Sequence, residues 1–146
     1  MTGSSTNRVV DERGRRTFAG RADQVGAARR FVAAALPPGS PIRELTGLLV
    51  SEAATNALLH SASGRSGGTF AVEYAVDGRR LRVEIRDAGG PSGPRRRVHH
   101  LESLTGRGLD LFEALSSRWG VNGGPAGRVV WFELDFAGGE VAEWSS

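Results

Sequence analysis

The sequence contains no lysine, because all 19 basic residues of the 146-residue chain are arginine. A chain without lysine cannot carry the G-K-[ST] signature of a P-loop or the β3 lysine of the ordinary protein-kinase fold. Schiff-base catalysis by a lysine amine is excluded for the same reason. The missing lysines therefore remove two common designs for holding ATP, while the arginine-only set reflects codon usage rather than function.

Cysteine is absent as well, and so are long apolar runs. Without a thiol there is no cysteine nucleophile, no disulfide and no thiolate metal site. The core alone must stabilise the chain, which is compatible with a reducing compartment. No run approaches the roughly 20 apolar residues of a membrane span, and residues 1–16 lack the apolar segment of a signal peptide. We expect a cytoplasmic protein with no membrane partner.

The charges nearly balance, since 16 acidic residues oppose the 19 arginines and leave a formal net charge of +3. The arginines are scattered and interleaved with acids, so nucleic-acid binding is the least favoured partner class. The length suits one domain. We predict an ordered domain over residues 15–136, between a disordered tail over 1–14 and a polar C-terminal tail over 137–146.

Hydrophobic periodicity predicts helices first and an antiparallel sheet afterwards. The helical segments cover 22–36, 41–60 and 108–115, and Ser40 is a plausible N-cap of the second because Pro41 follows it. The predicted strands cover 15–20, 70–76, 80–85, 118–121 and 128–136, with a tight turn at Asp77-Gly78. This order predicts an α+β fold, a two-layer α/β sandwich with helices on one face of a mainly antiparallel mixed sheet.

Three short motifs could carry chemistry. Glu52 and Asn56 are four residues apart on the second helix, so they share one face and could orient a hydroxyl and hold Mg²⁺. Asp87 ends an apolar strand and could accept a hydrogen bond from an amine edge such as adenine N6, beside Gly89. Gly106-Arg107-Gly108 opens a helix, where free N–H groups favour phosphate. Taken alone, the first motif is more often a solvated helix face, the second a plain turn and the third a loop.

Taken together, the motifs resemble those of the GHKL ATPase superfamily and are most similar to small bacterial anti-sigma-factor serine kinases. The segments that carry this resemblance are LVSEAATNALLHS, VEIRDAGGP, GRGLDLFEALSSRWGV and GRVVWFEL. The resemblance implies the GHKL-type fold over nearly all of the ordered chain. It also implies binding of ATP with Mg²⁺ and phosphorylation of a serine or threonine on an anti-sigma-factor antagonist. Binding of a sigma factor is implied too, and since relatives often dimerise, a homodimer can be expected.

The resemblance also implies a role for each matching residue. Glu52 would be the general base, Asn56 the Mg²⁺ ligand and Asp87 the partner of adenine N6. The glycines at 89, 106 and 108 would make room for the base and lend N–H groups to the phosphates, with Arg107 as a further phosphate contact and 91–105 as the lid. Where relatives carry a threonine beside the adenine aspartate, the matching position here is Val129.

Two classes of function therefore remain in competition. In the first, the chain is an ATP-dependent serine/threonine protein kinase, which the presence of both Glu52 and Asn56 favours. In the second, it is a catalytically weak or inactive module that sequesters a sigma factor or another regulator, with or without ATP. Val129 keeps the second class open, because valine cannot hydrogen-bond to a base or to a bridging water.

Overall fold

The structure, a computed structural model, describes residues 12–60, 67–88, 108–124 and 127–136. Within these ranges the chain forms three helices and five strands. In chain order they are β1 (Glu12–Ala19), α1 (Asp23–Ala33), α2 (Arg43–His60), β2 (Thr69–Val76), β3 (Arg80–Asp87), α3 (Gly108–Leu115), β4 (Arg118–Gly124) and β5 (Gly127–Asp135). The predicted α+β class is confirmed.

The five strands form one sheet in the order β1-β2-β3-β5-β4. The prediction of a mixed sheet needs correction, since every pairing among the described strands is antiparallel. Antiparallel neighbours follow from the connections: a tight turn joins β2 to β3, and β4 runs directly into β5 as a second hairpin. The third pairing joins β3 to β5 and sets Asp87 opposite Arg128.

The helices cover one face of this sheet. α1 contacts β1, α2 contacts β2 and β3, and α3 contacts β4, so the helices follow the strand order across the face. Every second residue of the central strands is buried against them, as the pleat requires. These buried apolar residues are Leu81, Val83 and Ile85 of β3 and Val130, Phe132 and Leu134 of β5.

One helix prediction is confirmed in detail, since α3 spans the predicted residues. α2 begins at Arg43, two residues later than predicted, so Ser40 is not its N-cap. The Ser40 hydroxyl oxygen instead accepts a hydrogen bond from the N–H of Ile42 at 3.3 Å, in the turn that precedes the helix. α1 ends earlier than predicted, at Ala33, and residues 34–36 form a turn before Pro37. None of the helices in the described residues is long and apolar enough to cross a membrane.

The start of the domain and one turn differ from the prediction. β1 begins at Glu12, so residues 12–14, which the sequence placed in the tail, pair with β2 instead. Residues 12–14 are polar and so give no strand signal in the sequence, because an edge strand needs few apolar residues. The turn between β2 and β3 is centred on Gly78 and Arg79, one residue later than predicted. There the Asp77 carboxylate accepts hydrogen bonds from the N–H groups of Arg79 and Arg80 at 2.7 and 2.8 Å.

Candidate functional site

Helix α2 positions the first two candidate residues. Its buried stripe includes Leu49, Ala53 and Ala57, which pack into the core, while Glu52 and Asn56 lie beside that stripe and are half-buried. Since they are four residues apart, one turn separates them and both project from the same flank. The predicted pair therefore exists as a partly exposed carboxylate and amide on one side of the helix.

The neighbouring helices show which side that is. Arg29 of α1 donates a hydrogen bond to the Ser51 hydroxyl oxygen at 3.0 Å, so α1 packs against the flank of α2 that carries Ser51. Glu52 and Asn56 lie roughly 100° to 140° further round the helix, by the usual advance per residue. α3 contacts α2 and β4, whereas α1 contacts β1 at the other edge of the sheet. Glu52 and Asn56 thus lie on the side of α2 that is turned toward α3.

Strand β3 positions the third candidate residue. Asp87 is its last residue, and its side chain continues the buried row of Leu81, Val83 and Ile85 on the helix-covered face. α2 contacts β3, so the carboxylate lies on the face of the sheet that is covered by the helix carrying Glu52 and Asn56. Asp87 is one of only three buried polar or charged residues in the described part of the chain, along with Thr46 and Arg128. A buried carboxylate needs a partner, and here it has one.

The partner of Asp87 is Arg128, which lies directly opposite it on β5. The backbone N–H of Arg128 donates a hydrogen bond to Oδ1 at 3.1 Å, and the guanidinium Nε donates another to Oδ2 at 3.1 Å. The guanidinium Nη2 lies 3.0 Å from the same Oδ2, and the two side chains are only 3% and 2% exposed. This is a buried, charge-assisted ion pair in which both carboxylate oxygens are engaged.

The family resemblance assigns the position beside Asp87 to Val129, and the strand register corrects this assignment. Val129 lies opposite Arg86, and its side chain follows the other face of the sheet. A signal for the correct assignment was present in the sequence. The apolar residues Val130, Phe132 and Leu134 occupy the even positions of β5, so the even-numbered Arg128 shares the core face on which Asp87 lies.

The remaining candidate residues are those that the resemblance assigns to the base and the phosphates. Gly108 is the first residue of α3, as predicted for a glycine that opens a helix. Gly89, Gly106 and Arg107 lie outside the described residues, as does the predicted lid over 91–105. The assignment of these positions to the base and the phosphates therefore stays a prediction.

Comparison with known families gives the class of protein. The model of the histidine kinase-like ATPase domain matches residues 18–134, which is well over half of the chain. The chain belongs to the histidine kinase-like ATPase domain family. The match spans the α2 pair, Asp87 and Arg128, and the antiparallel sheet with helices on one face agrees with the fold of that family. A search of curated proteins finds no match.

The candidate residues fit the metal ion of Mg·ATP better than they fit its adenine base. Glu52 and Asn56 supply partly exposed oxygen atoms one turn apart, which suits a hard cation and a hydroxyl nucleophile. Asp87 is of the right type to accept a hydrogen bond from an adenine amino group. Both of its oxygens, however, already accept hydrogen bonds from Arg128, and the side chain is nearly inaccessible. The donor set thus fits the metal end of the nucleotide, and it does not fit the base while the ion pair persists.

Proposed function

We propose that this chain is an ATP-binding serine/threonine protein kinase of the anti-sigma-factor type. It would bind a regulatory partner, a sigma factor or its antagonist, and phosphorylate a serine or threonine of the antagonist. The observation that carries the proposal is that the family match spans Glu52, Asn56 and Asp87 together, with the first two on one half-exposed flank of α2. ATP-dependent chemistry is what a histidine kinase-like ATPase domain suggests.

The roles follow from the demands of phosphoryl transfer, which needs positioning and charge neutralisation more than covalent chemistry. The Glu52 carboxylate would accept the proton of the attacking hydroxyl as its oxygen bonds to the γ-phosphorus and ADP leaves. The Asn56 amide oxygen would bind Mg²⁺, which when present neutralises phosphate charge. Neither role requires a lysine, so the composition of the chain is compatible with this chemistry.

The experiment that tests this proposal is transfer of radiolabelled phosphate. The chain is incubated with Mg²⁺ and millimolar γ-labelled ATP together with candidate antagonist proteins encoded in the same genome. We expect label on a serine or threonine of one antagonist, and loss of that label with the Glu52→Ala variant. Binding of Mg·ATP is measured in parallel by isothermal titration calorimetry. Absence of both binding and transfer at millimolar ATP would overturn the proposal.

A second candidate function is a module that sequesters its regulatory partner without phosphorylating it. The buried Asp87–Arg128 ion pair favours this candidate, because it engages the carboxylate that would read adenine. The two candidates differ in one measurable respect. A sequestering module would bind its partner and leave it unlabelled in the presence of Mg·ATP.

A further inference from the structure

We propose that Arg128 competes with the adenine amino group for Asp87, so that a hydrogen bond from adenine to Asp87 and the Asp87–Arg128 ion pair exclude each other. Arg128 then determines both the affinity for ATP and the preference for adenine. This inference rests on the proposed function, since it concerns the same nucleotide site. It adds a specificity-determining residue that neither the family match nor the sequence motifs assign.

The two carboxylate oxygens of Asp87 contact different parts of residue 128. Oδ1 accepts its hydrogen bond from the backbone N–H of residue 128, which every residue except proline would supply. Oδ2 accepts a hydrogen bond from the guanidinium Nε at 3.1 Å and lies 3.0 Å from Nη2 in the ion pair. A substitution at 128 therefore leaves the hold on Oδ1 in place and removes both guanidinium contacts to Oδ2. Arg128 controls one particular oxygen rather than the position of the aspartate as a whole.

Arg128 also limits the access of a ligand to Oδ2 of Asp87. The Asp87 side chain is 3% exposed and the guanidinium lies against Oδ2, so an adenine amino group can take that place only after the guanidinium has moved. The chain then exists in two states, one with the ion pair and one in which Asp87 is available to a base. The apparent dissociation constant of a ligand that needs the second state rises as the population of that state falls. Because a buried charge-assisted pair favours the first state, the wild-type chain should bind ATP weakly.

Arg128 should also affect base selectivity, which a merely structural role of this residue would leave unchanged. At the corresponding edge adenine carries the N6 amino group, a donor, whereas guanine carries the O6 carbonyl, an acceptor. An available carboxylate favours adenine and repels guanine. A carboxylate neutralised by an arginine does neither, and the arginine itself can donate to guanine O6. The wild-type chain should therefore discriminate poorly between ATP and GTP.

The test is isothermal titration calorimetry of Mg·ATP and Mg·GTP into the full chain and two variants. Arg128→Thr removes the guanidinium and keeps a residue that suits a strand. Val129→Thr is the matched control, because it places the same side chain one residue along, on the other face of the sheet and away from Asp87. A hydrogen bond to a charged group corresponds to about a ten- to hundredfold change in affinity. We expect Arg128→Thr to bind ATP at least about tenfold more tightly than wild type, with a preference for ATP over GTP that rises by a similar factor. We expect Val129→Thr to match wild type.

Each outcome decides a separate question. ATP binding by Arg128→Thr that is no tighter than that of wild type overturns this inference and leaves the proposed function standing. No ATP binding by any of the three proteins overturns the proposed function. If Arg128→Thr does not fold, Arg128→Gln replaces it, since glutamine fills much of the same space without charge. If neither variant folds, wild-type selectivity decides, and a preference for ATP over GTP greater than about tenfold contradicts the inference.

Discussion

Asp87 and Arg128 face each other across β3 and β5, and their buried side chains are joined at 3.0 to 3.1 Å. The desolvation cost of burying such a pair offsets much of its Coulombic attraction, whereas removing one partner leaves an uncompensated charge inside the protein. The pair therefore constrains the ends of two central strands as well as the chemistry of the site. The contribution of the pair to the free energy of unfolding can be measured in the absence of nucleotide.

Asp87→Asn keeps the shape of the side chain and removes its charge. We expect the free energy of unfolding, measured with urea, to fall by about 3–5 kcal/mol, because the Arg128 guanidinium stays buried without its counter-charge. Asp23→Asn is the control, since Asp23 is 70% exposed and its ion pair with Arg21 should matter little. The double variant Asp87→Asn/Arg128→Gln should lose less than the sum of the two single variants. Additive losses would contradict the coupling.

Glu52→Ala should reduce phosphoryl transfer by about 10²- to 10⁴-fold, the usual contribution of a general base. The matched control is Glu44→Ala on the same helix. Glu44 is exposed and lines the cavity on the α1 side with Arg29 and Arg43, so its removal should leave the rate unchanged. Both variants should unfold at the same temperature as wild type. Equal transfer rates for Glu52→Ala and wild type would remove Glu52 from the mechanism.

Gly123 has φ +117, and a Cβ at that position would contact the Gly127 carbonyl oxygen and come within 2.7 Å of the Arg128 Cα. Gly123→Ala should therefore lower the free energy of unfolding by more than about 1 kcal/mol and displace the start of β5. Gly39→Ala is the control, because Gly39 also has a positive φ (+78) but a Cβ there meets open space. Thermal unfolding compares the two, and an equal loss would mean that the contact with β5 is irrelevant.

Acid should destabilise the chain through the outer face of the sheet. Burial raises the pKa of Glu133, but hydrogen bonds from Arg118 and Arg82, at 2.6 and 2.9 Å, outweigh it and hold the pKa below its ordinary value. A carboxyl whose pKa is lowered by folding stabilises the folded state above the unfolded pKa, about 4.3 for glutamate, and loses that effect as pH falls through the folded pKa. The free energy of unfolding should therefore drop with pH below this value.

Glu133→Gln tests the assignment of that pH dependence. Glutamine does not titrate, so urea unfolding between pH 5 and pH 2 should show a shallower pH dependence for the variant than for wild type. The hydrogen bond from Arg118 also lowers the pKa of Asp135, so part of the slope should remain in the variant. Identical slopes for the two proteins would exclude Glu133 as a contributor.

The sequence predicts the helices and strands more reliably than it predicts which residues face each other across the sheet. α3 and the β2–β3 hairpin follow from local periodicity, which a window of about ten residues contains. The pairing of Asp87 with Arg128 joins residues 41 positions apart, and its register depends on how β3 and β5 meet across the core. The motif resemblance predicts Val129 as the residue beside Asp87, although the alternation in β5 favours Arg128. The assignment of Gly106 and Arg107 to the phosphates remains a sequence prediction.

The most direct test of the account is a crystal structure of the wild-type chain with Mg²⁺ and a non-hydrolysable ATP analogue at high concentration. We predict that adenine N6 lies within hydrogen-bond distance of Asp87 Oδ2, that the Arg128 guanidinium has moved away from it, and that Asn56 contacts the metal. A nucleotide bound with its base on Asp87 while the Arg128 contacts to Oδ2 persist would contradict the claim that the two exclude each other.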